Sequence, residues 1–203
     1  MSEKLNYKMQ KTGTEEQMSN REKLNNLFQN SPMPIEHLMV NLGLYMRSSV
    51  LAKTLYINEL YEKIVHLPGS IMEFGSWYGT NLALFESLRA IYDPYNYTRK
   101  VIGFDTYDGY ENLSINDGKN ELVQEGQYSI PENYIDYLKE VLDFHQKENV
   151  LPHIKKYELI KGDATKSVYE YLEKNQHTMI SLAYFDMQLY EPTKKCLEAI
   201  KPY

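Results

Sequence analysis

Short apolar runs alternate with helix-like segments through most of the chain, and this alternation limits the fold more than any other feature. Four runs have the length and composition of buried strands, and each is followed by apolar residues at helical spacing. The predicted strands are residues 70–74, 101–104, 157–160 and 179–185, and the predicted helices are residues 79–91, 131–148, 165–175 and 192–200. Because parallel strands need crossover helices between them, the pattern predicts an α/β fold with a doubly wound parallel sheet.

The chain ahead of these strands has two parts of different composition. Residues 1–30 are rich in polar and charged side chains, which predicts a mobile arm or a loosely docked helix. Residues 31–67 carry apolar side chains at helical spacing, which predicts a helical extension that packs on the core. Residues 68–203 would then form the α/β domain itself.

The last predicted strand has the composition of a strand that lies between two others. Residues 179–185 are apolar nearly throughout, as in a strand with neighbours on both sides, yet no further strand pattern follows before Tyr203. An apolar strand at an open edge invites pairing with another chain. We therefore expect that the final strands are missing and belong to a longer protein, or that a partner such as a second copy covers the edge.

Composition excludes several classes of partner. The formal net charge is −6 and the basic residues are scattered, so nucleic acid is not an expected partner. No apolar run approaches the roughly 18 residues of a membrane-spanning helix, so we expect no membrane association. The single cysteine, Cys196, cannot form an internal disulfide, which predicts a cytoplasmic location.

The first candidate site residues follow the first predicted strand. Glu73 ends that strand, and Gly75 and Gly79 lie in the loop that leads to a helix. In doubly wound sheets a ligand binds beyond the carboxyl ends of the strands, where glycines leave space that a Cβ atom would fill. The bulky Trp77 disfavours a pyrophosphate, whereas Glu73 could accept hydrogen bonds from an amino-acid-like cofactor. The alternative is a plain tight turn.

Two later strands end in further acidic residues. Asp105 closes the second strand, where it could bind both ribose hydroxyls of a nucleotide, or it could be a solvated turn former. Asp163 and Ala164 follow the third strand. Asp163 could contact an adenine amino group while the small Ala164 leaves room for the ring. Alternatively, this pair forms a turn with a helix cap.

Asp186 and His145 are the candidates for acid–base chemistry. Asp186 follows the fourth strand, where it could draw a proton from a substrate hydroxyl or bind a divalent cation. His145 lies late in a helix, where it could reach a site or complement the C-terminus of that helix. We also expect residues 106–130 to form a lid over the acceptor, with polar and aromatic side chains at Tyr107, Tyr110, Asn112, Asn116 and Asp117.

Taken in order, these segments resemble the class I methyltransferases that use S-adenosylmethionine, and more narrowly the macrocin O-methyltransferase family. The most specific stretches are residues 68–75 (PGSIMEFG), 102–110 (IGFDTYDGY) and 183–193 (AYFDMQLYEPT). The second of these is much rarer than a glycine loop. The resemblance implies a Rossmann-like doubly wound sheet of the class I methyltransferase type, preceded by an N-terminal helical extension.

By this resemblance the cofactor is S-adenosylmethionine, with the methionine part at the first loop, the ribose at Asp105 and the adenine at Asp163. The full set of predicted cofactor contacts is Glu73, Gly75, Ser76, Trp77, Gly79, Asn81, Asp105, Thr106, Asp163, Ala164 and Asp186. In metal-dependent members the residue at Asp186 binds magnesium, which makes Mg²⁺ a second predicted ligand. The next acidic position of that motif is Gln188 here, a weaker ligand.

The resemblance implies methyl transfer to a hydroxyl of a sugar or glycan, so the expected partner is a small-molecule or saccharide acceptor. Asp186 is the expected base. Two alternatives stay open. Gln188 and the early end of the chain favour a non-catalytic methyltransferase-like module for binding or assembly. An NAD-dependent dehydrogenase or epimerase would share the sheet, but Trp77 and the wide spacing to Asp105 disfavour it.

Overall fold

The computed structural model describes residues 13–110, 115–117, 126 and 128–203. Along these residues the helices are α1 (Glu15–Gln29), α2 (Ile35–Val40), α3 (Ser48–Ile64), α4 (Thr80–Tyr92), α5 (Tyr134–Glu148), α6 (Ala164–Lys174) and α7 (Tyr190–Ile200). The strands are β1 (Ser70–Phe74), β2 (Val101–Asp105), β3 (Tyr157–Lys161) and β4 (Ile180–Phe185). Short 3₁₀ turns lie at Leu42–Tyr45 and Ile115–Asp117.

The chain divides into two compact units, with the boundary between Tyr56 and Ile57, inside α3. In the first unit, α1 occupies the segment predicted as an arm or a loosely docked helix, so a helix is what the structure shows there. Thr14 and Gln17 cap its start, because each backbone N–H donates to the other residue's side chain, across 3.1 and 3.2 Å.

The second unit contains a four-stranded sheet in the order β3-β2-β1-β4, with all neighbours parallel. In the central strand β1, Glu73 lies opposite Gly103 of β2 and Tyr184 of β4. The strand order reverses between β1 and β4, which is the switch point where ligands bind in such sheets. The predicted α/β fold with a parallel sheet is confirmed.

Helices cover both faces of this sheet. Successive residues of β1 point to opposite faces, so Ile71 packs with Phe85 of α4 in one core cluster and Met72 packs with Val168 and Cys196 of α6 and α7 in the other. The sheet is thus doubly wound. No helix in the described ranges is long and apolar enough to cross a membrane.

β4 lies at one edge of the sheet that the described residues form. All six of its residues are half-buried, and β1 is its one neighbour among those residues. The second neighbour that the sequence predicts is therefore not part of the described sheet.

Two helices begin at different residues from the prolines that predict them. α5 begins at Tyr134, whose N–H donates to the carbonyl of Pro131 across 2.9 Å. α7 begins at Tyr190, so Pro192 lies inside the first turn. A proline is tolerated there because the N–H groups of a first turn have no intrahelical partner.

Arg99 ties the segment before β1 to the rest of the second unit. Its fully buried guanidinium donates to three main-chain carbonyls, each across 2.8 Å, those of Ile64, Leu67 and Gly69. Its Nε donates to the Asp93 carboxylate across 3.1 Å. A buried charge is stable only when it is paired and hydrogen-bonded, and these contacts meet that condition.

Candidate active site

The carboxyl ends of β1, β2 and β4 bring three acidic residues to one edge of the sheet. Glu73 lies near the end of β1, Asp105 ends β2, and Asp186 follows β4 directly. The ladder continues past the strands, since the Asp186 N–H donates to the Phe74 carbonyl across 2.9 Å. The sheet itself therefore determines where these three side chains begin, at its switch point.

Asp105 holds the loop that follows β1. Its Oδ2 accepts the Trp77 N–H across 2.8 Å, and its Oδ1 accepts the Tyr107 N–H across 2.6 Å. Both donors have left-handed backbone, with φ of 47° at Trp77 and 62° at Tyr107, and such a conformation costs a non-glycine residue on the order of 1–3 kcal/mol. Burial raises the pKa of Asp105, and these hydrogen bonds oppose the rise.

Asn81 links Glu73 to Asp186. Its Nδ2 donates to Oε1 of Glu73 across 2.6 Å and to Oδ2 of Asp186 across 3.1 Å. Glu73 is fully buried and Asn81 is 4% exposed, so little water competes for these bonds. The amide orientation follows from the chemistry, because the opposite orientation would place the amide oxygen against two carboxylates.

The two glycines of the loop are required by packing within the protein. Gly75 has φ of 89°, and a Cβ atom there would lie 3.0 Å from the Met187 nitrogen and 3.1 Å from the Asp186 carbonyl carbon. Gly79 has φ of 76°, and its Cβ would lie 2.5 Å from Cδ1 of Leu138 on α5. Protein atoms alone therefore leave little room for a Cβ atom at either glycine. Contact of Gly75 and Gly79 with a cofactor stays a prediction.

Asp163 caps α6. Its Oδ1 accepts the Thr165 N–H across 3.0 Å and the Thr165 hydroxyl across 2.7 Å, so the helix-cap alternative is what the structure shows. Ala164 is the first residue of that helix and packs against the core. Thr106 turns the chain after β2, because its hydroxyl donates to the Gly109 carbonyl across 3.1 Å. Cofactor contacts of all three residues stay predictions.

His145 lies apart from these carboxylates. It belongs to the last turn of α5, and its Nδ1 is 3.5 Å from the Ser87 hydroxyl of α4. Ser87 lies about 9 Å beyond Asn81 along the helix axis, at about 1.5 Å per residue. The structure therefore does not bring His145 to Asp186, and of the two alternatives it shows the position at a helix C-terminus. Burial lowers the pKa of His145.

A row of aromatic rings borders the site. The rings of Trp77 and Tyr128 meet edge to face with centroids 5.6 Å apart, and those of Tyr128 and Tyr110 are 5.1 Å apart. Burial raises the pKa of Tyr110 to about 12, and Tyr128 and the charge of Asp186 add to the rise. Sequence reasoning missed Tyr128. The available signal was the tyrosine content, 19 of 203 residues.

Part of the predicted lid contacts the start of α7. Asp117 accepts the Tyr190 N–H across 2.6 Å. A cavity of about 680 Å³ lies here, with Asn116 and Gln188 among its lining residues. Asn112 lies outside the described residues, and the lid stays a prediction.

Two buried polar atoms suit a bound cofactor. Within the described part of the chain, Nε1 of Trp77 and Oδ1 of Asn81 have no hydrogen-bond partner. Such atoms are costly unless a ligand or water satisfies them. One is a donor and one an acceptor, and the carboxylates of Glu73 and Asp186 lie beside the amide of Asn81. This set fits a cationic ligand with hydrogen-bonding groups, as S-adenosylmethionine is.

Magnesium at Asp186 is not supported. The described residues contain no group of three or more His, Cys, Asp or Glu side chains that could hold a metal ion. Asp186 accepts the Asn81 amide instead, and Gln188 stands at the position where a second carboxylate would be needed. Binding of Mg²⁺ at Asp186 therefore stays a prediction that no group of the described residues supports.

A scan against protein-family models and a search of curated proteins found no match. Solved structures do match. A crystal structure of CalS11, described as a calicheamicin methyltransferase, has a TM-score of 0.92 and 40% identity, covering 95% of this chain and 76% of that one. An apo structure of CalS11, described as a TDP-rhamnose 3′-O-methyltransferase of calicheamicin biosynthesis, has a TM-score of 0.81 and 38% identity, covering 95% and 75%.

The O-methyltransferase NovP matches with a TM-score of 0.50 and 16% identity, covering 74% of this chain and 59% of that one, and supports the fold alone. The CalS11 matches go further, because 40% identity over nearly the whole chain indicates common descent. They confirm the predicted methyltransferase and decide against the NAD-dependent dehydrogenase or epimerase. The chain belongs to the class I methyltransferases, as a relative of the sugar O-methyltransferases.

Proposed function

We propose that the protein transfers a methyl group from S-adenosylmethionine to a hydroxyl of a sugar. The observation that carries the proposal is the placement of two carboxylates, those of Glu73 and Asp186, within reach of one amide group at the switch point of the sheet. Glu73 lies near the end of β1, ahead of the loop suited to the methyl donor, and Asp186 follows β4, on the side proposed for the acceptor.

S-adenosylmethionine supplies, when bound, a methyl group already activated on a sulfonium ion. Glu73 would accept hydrogen bonds from its amino group, since a buried carboxylate is stabilised by a cation. Asp105 would hold the ribose hydroxyls with the lone pairs that its two backbone hydrogen bonds leave. Asp163 and Ala164 would border the adenine.

On the acceptor side, Asp186 would take the proton of the sugar hydroxyl while the hydroxyl oxygen bonds to the methyl carbon. The bond between that carbon and sulfur would break at the same time, and S-adenosylhomocysteine would leave. An unactivated sugar hydroxyl is a weak acid, so a carboxylate within hydrogen-bond reach contributes as a general base. The rings of Tyr110 and Tyr128 offer flat faces that can cover a sugar ring, and their polar tips can bond its hydroxyls.

The description of CalS11 makes a nucleotide-linked deoxysugar the first acceptor to test. TDP-rhamnose represents that class. Sugars of natural products and of cell-surface glycans form the wider class that the proposal includes.

Calorimetry with S-adenosylhomocysteine and with NAD tests the donor, and mass spectrometry of TDP-rhamnose, free rhamnose and glycan acceptors incubated with S-adenosylmethionine tests the transfer. We expect binding of S-adenosylhomocysteine and one added methyl group on a sugar, formed much more slowly by Asp186→Asn. Tight NAD binding without a response to S-adenosylhomocysteine would overturn the proposal. Binding of S-adenosylhomocysteine with no methylated product would favour the non-catalytic module instead.

Cytoplasmic location and self-association stay predictions. Light scattering on the purified protein tests the second of them, with a dimer as the expected outcome if a second copy covers the edge of β4.

A further inference from the structure

We infer that Asn81 is a positioning residue, one that holds the acceptor-side carboxylate of Asp186 against the donor-side carboxylate of Glu73. The inference rests on the proposed function, which assigns those two sides. The new element is that one amide links the donor-side carboxylate to the acceptor-side carboxylate. The placement of Asp186 then depends on α4 as well as on β4.

The backbone of Asn81 is fixed before its side chain makes any contact. Asn81 is the second residue of α4. Gly79, two residues earlier, precedes the helix, and its left-handed conformation sets the angle at which the chain enters it. The Ala83 N–H donates to the Gly79 carbonyl across 3.1 Å, so the first turn is closed. Side chains of a helix lean toward its N-terminus, which here brings the amide to the ends of β1 and β4.

The amide can serve both carboxylates at once, because its nitrogen carries two hydrogens. Hydrogen bonds to ionised acceptors are about twice as strong as neutral ones. At 2.6 Å from Glu73 and 3.1 Å from Asp186, one hydrogen can point at each. Asn81 thus reduces the mutual repulsion of two like charges that the sheet places side by side.

An amide suits this position better than a charged group. A lysine would also donate to both carboxylates, but it would cancel part of the negative charge that favours a cationic methyl donor. An aspartate would have a similar shape and would add a third negative charge. Asparagine supplies donors and leaves the charge of the site unchanged.

The bond to Oδ2 also limits rotation of the Asp186 carboxyl group. Orientation matters for a general base, because the acceptor hydroxyl must lie within about 2.6–3.2 Å of it. A misplacement of about 1 Å can lower a rate by about a hundredfold. Asn81 does not touch the reacting atoms in this account, and it acts through Asp186 and Glu73.

The test compares Asn81→Ala and Asn81→Asp with the control Asn58→Ala. Asn58 also donates its amide to a carboxylate, that of Glu62 across 2.8 Å, but on α3, away from the ends of the strands. Thermal melts establish that each variant folds. Calorimetry with S-adenosylhomocysteine then reports the donor side without any acceptor, and kcat and KM for TDP-rhamnose report the acceptor side.

We expect Asn81→Ala to lower affinity for S-adenosylhomocysteine about tenfold and kcat about tenfold to a hundredfold, since bonds to charged groups are lost. The KM for the acceptor should change little, and Asn58→Ala should match the unmodified protein. Asn81→Asp should be slower still at neutral pH. Lowering the pH should restore part of the rate of Asn81→Asp, because the introduced carboxyl group can donate a hydrogen bond once it is protonated. It should restore none of the rate of Asn81→Ala, which has no donor.

A double-mutant cycle separates positioning from a merely structural role. In an Asp186→Asn background, Asn81→Ala should lower kcat no further. Equal loss in both backgrounds, or unchanged kcat and affinity in folded Asn81→Ala, would overturn the inference. If the unmodified protein binds S-adenosylhomocysteine yet methylates no acceptor, the proposed function fails, and the affinity series still decides whether Asn81 supports Glu73.

Discussion

The backbone N–H of Trp77 donates to Oδ2 of Asp105 across 2.8 Å, so the loop after β1 is held by the carboxylate that ends β2. The other oxygen of Asp105 does the same for Tyr107. Since both donors have left-handed backbone, this carboxylate stabilises a loop conformation that would otherwise relax toward more common angles. The shape of the predicted donor loop is therefore determined by a residue outside that loop.

Asp105→Asn tests this relationship. The amide nitrogen of asparagine must face one of the two backbone N–H groups, so one hydrogen bond becomes a contact between two donors. We expect a loss of about 1–3 kcal/mol in the free energy of unfolding, and an affinity for S-adenosylhomocysteine lowered by more than about tenfold. Urea denaturation measures the free energy of unfolding, and calorimetry measures the affinity.

The matched control is Asp136→Asn, because the side chain of Asp136 is 80% exposed and pairs with Lys139 at the surface. Its free energy of unfolding should change by less than about 1 kcal/mol. If Asp105→Asn unfolds and binds like the control, Asp105 does not hold the loop.

Gly75→Ala tests the contact between the donor loop and the end of β4. The added Cβ would meet the backbone of Asp186 and Met187 at 3.0–3.1 Å, where nothing can rotate away. Gly162→Ala is the matched control, because it shares a positive φ, 141°, but has no atom within 4 Å of the added Cβ. We expect both variants to lose stability through backbone strain, and Gly75→Ala to lose about 1–3 kcal/mol more. Equal losses in thermal melts would contradict the contact.

The positions of the acidic residues at the strand ends could be predicted from the sequence, because they depend on local patterns of apolar residues. Strand–helix alternation predicts a parallel sheet, and parallel strands place the residues at their carboxyl ends, Asp105 and Asp186, along one edge. The contacts of Asn81 and Arg99 could not be predicted this way, because each joins residues far apart in sequence and leaves no periodic signal. The sequence also could not show whether His145 reaches the site. It gives the place of this residue along its helix but not the direction in which the helix runs from the carboxylates.

His145→Gln should leave catalysis nearly unchanged. The imidazole contacts Ser87 and not the carboxylates at the switch point, so we expect kcat within about twofold of the unmodified protein, against losses of about 10²–10⁴ for a general base. A larger loss in folded protein would restore His145 as a catalytic residue.

The same variant should alter the pH dependence of stability. Because burial lowers the pKa of His145, the unfolded chain binds more protons than the folded protein just below the ordinary histidine pKa of about 6.5. Stability is therefore lost as the pH falls from about 6.5 toward the folded pKa. His145→Gln should reduce that slope, and urea denaturation between about pH 5 and 7.5 measures it. Identical slopes would show that the histidine does not contribute.

Arg99→Met tests the buried contacts ahead of β1. Methionine removes the charge and the guanidinium donors to the carbonyls of Ile64, Leu67 and Gly69, and it leaves the Asp93 carboxylate without its cationic partner. We expect a loss of about 3–5 kcal/mol, as for other broken buried pairs. Lys139→Met, which removes an exposed pair, should cost less than about 1 kcal/mol. Similar denaturation midpoints for the two variants would count against this role.

Cys196 should be unreactive in the folded protein. Its thiol is fully buried between α7 and the sheet, and burial raises its pKa to about 12. Ellman's reagent at about pH 8 should react with no thiol in the native protein and with one per chain in urea, since only thiolate reacts. Ser48→Cys, at an exposed position of α3, supplies a positive control. Rapid native labelling at Cys196 would mean that this face of the sheet opens readily.

The closeness of Gly75 to the backbone of Asp186 and Met187 has a consequence for how such an enzyme can diverge. A change that enlarges the loop holding the donor also pushes on the strand end that carries the acceptor-side carboxylate. Mutations that adapt this protein to a new acceptor are therefore expected to arise at positions away from that contact, such as the aromatic row, while the junction between loop and strand end stays the same across its descendants.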